Sequence, residues 1–280
     1  MKTLILLFIS ISVLGCAKKD TDKPATSTPS ANTTSTNSST SSGSSAPSTT
    51  GNTSGASTGT TPGTTTGTSS GTITPTDSLT YLALGDSYTI GQSVPLPQSF
   101  PYQLTAMLNP QLKVSVPAII ATTGWTTYNL INGINSSGLT TKTYDFVTLL
   151  IGVNDQFQGI FQDTYKAEFA VMLTTAIRFA KGNKSRVFVL SIPDYSVTPA
   201  INWQNQEVLG QIVTEINQFN NINKSLSTQA GVNYLDITDI SRQAATDASL
   251  IAADELHPTG KMYGLWMQRL APLVKTQLQK

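Results

Sequence analysis

From residue 79 onward the sequence alternates between two periodicities, and that alternation limits its possible architectures more than any other feature. Runs 79–84, 113–121, 145–151, 186–192 and 232–237 are short and largely apolar, the pattern of strands covered on both faces. Helical patterns lie between and after them. Over 163–181, Phe169, Met172, Leu173, Ala176 and Ile177 share one side, with Gly182 placed as a C-cap. Val208, Ile212, Ile216, Phe219 and Leu226 form a second stripe that ends before Gly231. A last helix beginning near Pro258 or Thr259 carries Met262, Leu265, Trp266 and Leu270. These apolar and aromatic residues read as core. The alternation predicts an α/β fold, a three-layer α/β/α sandwich around a mainly parallel five-stranded sheet. Ligands of such open sheets bind beyond the carboxyl ends of the strands, which narrows the search for chemistry.

The preceding sequence has a different composition. Residues 1–15 place Lys2 ahead of an apolar stretch, Leu4 to Leu14, too short to span a bilayer and suited to a signal peptide. "VLGC", residues 13–16, resembles the lipobox of bacterial lipoproteins. That resemblance implies cleavage before Cys16, the chain's single cysteine, and lipidation of its sulfur. Residues 16–77 are dominated by Ser, Thr, Gly, Pro, Ala and Asn, with almost nothing apolar to bury, and read as a disordered tether. A flexible coil of roughly 60 residues has a root-mean-square reach of about 40–45 Å. "GASTG" at 55–59 and "GTSSG" at 67–71 match a nucleophile-elbow pattern, but neither follows a strand or opens a helix. The expected organisation is therefore a signal peptide over 1–15, a lipidated tether over 16–77 and one catalytic domain over 78–280. The resemblance to a lipobox implies a place in the bacterial cell envelope. The absence of Asp directly after Cys16 favours the outer membrane or cell surface over the inner membrane.

Polar or glycine-rich clusters stand at the ends of the expected strands. "GDSY" at 85–88 follows the first run, "TTGW" around Gly124 the second and "GVND" at 152–155 the third. "DELHP" at 254–258 lies beyond the fifth and holds the chain's one histidine. If a histidine acts as general base here, it is His257, and an unperturbed imidazole titrates near pH 6.5, suited to proton transfer. Asp254, three residues earlier, is close enough to orient the imidazole from the same loop, a role Glu255 suits less well. Ser87 is then the candidate nucleophile, since a serine hydroxyl needs such a base to take its proton. Gly124 through its backbone N–H, Asn154 through its carboxamide and Ser87 through its own N–H are candidate donors to an oxyanion. Asp86 and Asp155 are expected to hold loops by hydrogen bonds. Trp125 is expected either to line a pocket or to pack, and "IPDYSVTP" at 192–199 to border the cleft.

In this order, "GDS", a glycine after the second strand, "G-x-N-D" after the third and "D-x-x-H" near the C-terminus resemble the SGNH or GDSL-type hydrolases across residues 79–275. The resemblance implies a flavodoxin-like sheet and a serine esterase. Ser87 would be nucleophile, Asp254 and His257 its triad partners, and Ser87, Gly124 and Asn154 the oxyanion hole. Tyr88 stands where the motif has leucine.

The expected reaction is cleavage of a carboxylic ester through an acyl-enzyme. An acylated carbohydrate, a lysophospholipid or a small ester fits as substrate. Acyl transfer by the same residues and an inactive tethered glycan-binding or adhesion module are the alternatives. No cofactor or metal is expected, because one His and one Cys do not make the usual ligand sets. The 17 Lys and Arg against 16 Asp and Glu give no field that would recruit nucleic acid. The expected partners are the ester, the membrane through its lipid anchor and no second subunit, the chain acting as a monomer.

Overall fold

The computed structural model describes residues 78–280. The expected signal peptide, Cys16 and the tether over 16–77 lie outside the described residues, with both decoy motifs.

The sheet contains β1 (Tyr81–Gly85), β2 (Ala118–Ala121), β3 (Phe146–Leu150), β4 (Val187–Leu190) and β5 (Asn233–Leu235). The helices are α1 (Ser87–Ile90), α2 (Phe100–Leu108), α3 (Thr127–Ser136), α4 (Val153–Phe157), α5 (Gln162–Phe179), α6 (Gln206–Ala230), α7 (Thr238–Arg242) and α8 (Gly260–Leu278). All five strands are parallel, in the order β2-β1-β3-β4-β5. This is the flavodoxin-like order. Successive residues of a strand face opposite sides of a sheet, so complete burial of β1, β3 and β4 means that both faces are covered. β2 and β5, at the edges, are only partly buried.

Two groups of helices supply the cover. α5 packs between α3 and α6, with the tilted rings of Tyr165 and Phe219 4.5 Å apart at their centroids. α2 packs along α8, where Phe100 meets Tyr263. α8 buries Met262, Tyr263, Trp266, Met267, Leu270 and Val274, a face wide enough to close one side of the core. Thr259 caps this helix by accepting from the Met262 N–H. Gly231 ends α6 in a left-handed conformation, and Gly182 donates back to Ile177 just past α5. Among the described residues no helix is long and apolar enough to cross a membrane.

One strand is shorter than its sequence suggests. The run 113–121 joins the sheet only over Ala118–Ala121. Val114 makes an isolated bridge to Leu79, and Pro117, which has no N–H for a ladder, separates the two pairings.

The strand order also fixes where a ligand binds. From β1 the chain crosses to β2 on one side, and β3 lies on the other, so the connections leaving β1 and β3 diverge and open a crevice between them. Ser87 follows β1 by two residues and Asn154 follows β3 by four.

Candidate active site

The turn after β1 brings Ser87 to the crevice. A Cβ at Gly85 would overlap the Leu150 carbonyl oxygen of the neighbouring strand, so only glycine allows this close approach. Asp86 then caps α1, its Oδ1 accepting from the Tyr88 N–H at 3.0 Å, and Gly91 ends the helix after a single turn. Ser87 is left nearly buried, with 4 % of its surface exposed.

His257 arrives from the opposite end of the domain on the turn between β5 and α8. That turn is closed by the Ala252 N–H donating to the His257 carbonyl at 2.8 Å and by an antiparallel bridge between Ile251 and Pro258. The ring packs beside Tyr88, with centroids 5.3 Å apart. Ser87 Oγ lies 2.9 Å from His257 Nε2, and Asp254 Oδ2 lies 2.6 Å from Nδ1. A carboxylate only accepts, so Nδ1 carries the proton and Nε2 is free to accept from the serine. Asp254 Oδ1 takes the backbone N–H groups of Leu256 and His257 at 3.1 and 3.0 Å. Ser93 Oγ donates to Oδ2 at 2.5 Å. Burial pushes the Asp254 pKa up, but the hydrogen bonds from Ser93, His257 and Leu256 outweigh it and bring the group down to about 2. Glu255 stays exposed and makes no contact with the imidazole; its backbone occupies the left-handed region, φ 67°, at the tip of the turn.

Asn154, on α4, lines the same cavity as Ser87 and His257. One of its two amide hydrogens is committed to the Trp125 carbonyl at 3.0 Å, which leaves the other available to the cavity. Gly124 stands apart: it is exposed, lies in a left-handed turn at φ 80°, and is not among the cavity's lining residues. Its loop is nevertheless fastened to α4, through that Trp125 carbonyl and through Gln158 Nε2 donating to the Gly124 carbonyl at 3.3 Å. Ser87, His257, Asp254 and Asn154 thus converge, while Gly124 borders them on an adjoining loop.

The accessory expectations resolve individually. Asp155 accepts from the Thr127 N–H at 2.9 Å and the Thr127 hydroxyl at 3.1 Å, tying α4 to the start of α3. Burial raises its pKa to about 6, against those two bonds. Asp86 is fully buried, and burial raises its pKa to about 8 in spite of the Tyr88 N–H. Its Oδ2 has no hydrogen-bond partner. Trp125 packs on α3, where a side chain at Gly133 would overlap its ring, and does not line the cavity. The 192–199 segment does reach the cavity, through Tyr195, whose hydroxyl donates to Gln156 Oε1 at 2.8 Å.

The cavity holds about 200 Å³, and besides Ser87, Asn154 and His257 its walls are Tyr88, Val153, Phe157, Tyr195, Ala200, Ile201 and Leu256. Sequence reasoning missed most of these, and Ser93 as well. Val153 and Phe157 carried a signal, because they stand four apart on either side of Asn154 and so flank it on one helical face. Ala200 and Leu256 had none.

Fold and site together are those of a carboxylic-ester hydrolase built on a flavodoxin-like sheet. The model of the GDSL-like lipase/acylhydrolase family matches residues 83–265, and the chain belongs to that family. It is a GDSL/SGNH-type esterase or lipase. The crystal structure of TesA is similar with a TM-score of 0.55 at 16 % identity, over 71 % of this chain and 99 % of that one. The psychrotrophic esterase EstA from Pseudoalteromonas sp., inhibited by monoethylphosphonate, gives 0.53 at 16 % identity over 72 % and 99 %. A member of the lipolytic protein G-D-S-L family from Veillonella parvula gives 0.53 at 18 % identity over 70 % and 97 %. At such identities the likeness shows the shared fold. No curated protein sequence matches the chain.

Proposed function

We propose that the protein cleaves carboxylic esters by a Ser87–His257–Asp254 triad through an acyl-enzyme. The observation that carries this reading is the unbroken relay from Ser87 Oγ to His257 Nε2 at 2.9 Å and from Nδ1 to Asp254 at 2.6 Å. Ser87 Oγ attacks the ester carbonyl while His257 Nε2 takes its proton. The imidazolium, stabilised by Asp254, then protonates the departing alcohol. Water repeats the sequence on the acyl-enzyme and restores the serine. The Asn154 amide and the Ser87 N–H, both at the cavity, receive the negative charge on the tetrahedral oxygen, with the Gly124 N–H on the bordering loop as the third donor. The apolar walls beside Ser87 favour an aliphatic acyl group in a cavity of about 200 Å³.

Residues 78–280 act as the catalytic domain. The leader over 1–15 is removed, Cys16 carries the lipid, and the segment over 16–77 holds the domain away from the headgroups of a bacterial envelope membrane, at the outer membrane or cell surface. Covalent acyl chains contribute about 0.8 kcal/mol per buried methylene, so two or more anchor stably.

Turnover of a short-chain aryl ester by wild type and Ser87→Ala, with a fluorophosphonate probe, tests the chemistry. Loss of both turnover and labelling in the variant is the expected result. Undiminished hydrolysis by Ser87→Ala would remove the serine from the mechanism. Incorporation of labelled palmitate by wild type but not by Cys16→Ala tests the anchor.

A further inference from the structure

The connection from α1 to α2 grips both loops that flank Ser87. The Gln92 N–H donates to the Ser87 carbonyl at 3.0 Å, and Gln92 Oε1 accepts from Thr123 Oγ1 at 2.8 Å, next to Gly124. The following residue, Ser93, reaches Asp254 Oδ2 across 161 positions of sequence. It does so with a backbone φ of 66°, a region that disfavours side chains other than those of glycine, asparagine and aspartate. Left-handed serine survives only where the surroundings over-determine it. Here the serine so placed is the one that reaches Asp254.

We propose that Ser93 is a positioning residue for ester cleavage: its hydroxyl locks the Asp254 oxygen that faces His257 in the plane of the imidazole. The proposal rests on the triad reading and deepens it. The two oxygens of Asp254 are held differently. Oδ1 is fixed by the backbone N–H groups of Leu256 and His257, on its own turn. Oδ2 receives His257 Nδ1 and, from outside the turn, Ser93 alone. The Asp254 side chain keeps 30 % of its surface exposed, so without the Ser93 hydroxyl water reaches Oδ2 and the carboxylate rotates more freely. The Ser93 bond also draws charge from Oδ2 and tempers its pull on the imidazolium. The low proton affinity of Asp254 agrees with this, Ser93 being foremost among the groups that lower it against burial.

Besides His257 and the exposed Glu255 next to it on the turn, the titratable groups that feel the charge of Asp254 are Tyr88 and Tyr263. Burial holds both phenols above their ordinary range, so they stay protonated while the imidazole and carboxylate titrate.

The experiment compares Ser93→Gly, Ser93→Thr and Ser87→Ala in the full chain. It measures kcat, KM, the pH profile of kcat/KM and Tm with a short-chain aryl ester. Glycine accepts the left-handed backbone and removes only the hydroxyl, so Ser93→Gly should fold with a Tm equal to or above wild type. Its kcat should fall about tenfold, the rate equivalent of one charge-assisted hydrogen bond, with KM unchanged. The acid limb of kcat/KM should move, because losing the Ser93 donor changes both the charge and the hold of the oxygen that faces His257. Ser93→Thr should regain most of the rate while its branched β-carbon lowers Tm. A Ser93→Gly enzyme with wild-type kcat and an unmoved acid limb overturns the proposal. So does a rate loss that tracks Tm in both variants with no movement of the limb, the mark of a merely structural turn. Ser87→Ala with full turnover overturns the triad itself, an outcome distinct from a silent Ser93→Gly.

Discussion

Two aspartates sit beside the two reacting side chains, and their surroundings push them in opposite directions. Asp86 precedes the nucleophile on the turn leaving β1. It is fully buried, accepts one backbone N–H, has no partner for Oδ2, and is pushed up to about 8. Asp254 precedes the base on the turn entering α8, half-open to water and gripped by four donors, and is brought down to about 2. Burial favours the protonated form of the first, which shapes a turn, and donors favour the charged form of the second. Residue type and nearness to the chemistry do not assign the role; the number of donors and the access of water do.

The sharpest way to break this contrast is Asp254→Asn. An amide N–H facing Nδ1 favours the tautomer with its proton on Nε2, where it blocks acceptance from Ser87. Steady-state kinetics should show kcat down by about 10³–10⁴ with the fold retained. A loss smaller than tenfold would make Asp254 no more decisive than Asp86. Asn154→Ala, a control in neither turn, should cost about 10²–10³ in kcat if its amide serves the oxyanion, and an unchanged rate would discard that role.

Asp86→Asn is expected to act on stability rather than rate. Folding raises the Asp86 pKa from 3.8 to about 8, so the folded form keeps a proton that the unfolded chain sheds. Its contribution is complete below 3.8 and is lost as pH rises through 8. An asparagine carries a constant cost for its unpaired amide but no such slope. The Tm difference between variant and wild type should therefore move steadily toward the variant between pH 4 and 8. A constant difference would mean that Asp86 is ionised in the folded protein. The smallest effect is the mirror image at Asp254. Its pKa is depressed, so its stabilisation is present above 3.8 and lost as pH falls through about 2. Acid unfolding of Asp254→Asn should differ from wild type only slightly, because the side chain is partly solvated.

Legibility followed burial. β1, β3 and β4 are covered on both faces, and the nearly unbroken apolar residues this requires made them plain runs in the sequence. The edge strand β2 was overextended, since 113–121 is largely apolar but Pro117 and partial exposure end its pairing early. Ser87, His257, Asp254 and Asn154 were legible because their polar types stood at strand ends in a chain with a single histidine. Trp125 was not: beside a glycine loop its indole suited a pocket as well as the groove at Gly133 that it fills. Ser93 looked like any polar loop residue, and nothing local shows that a serine will reach a carboxylate 161 residues away.

Sequence alone determined the parallel α/β sandwich, the strand ends where chemistry can stand, and which histidine must be the base if there is one. These follow from local periodicity and from residue chemistry, both written within short windows of chain. Tertiary structure decided what depends on distance between remote segments: the 2.9 Å from Ser87 to His257, the apolar walls beside them, and the Ser93 hydroxyl on Asp254. It also decided the charge of the two aspartates, because water access and donor number are properties of the packed surroundings.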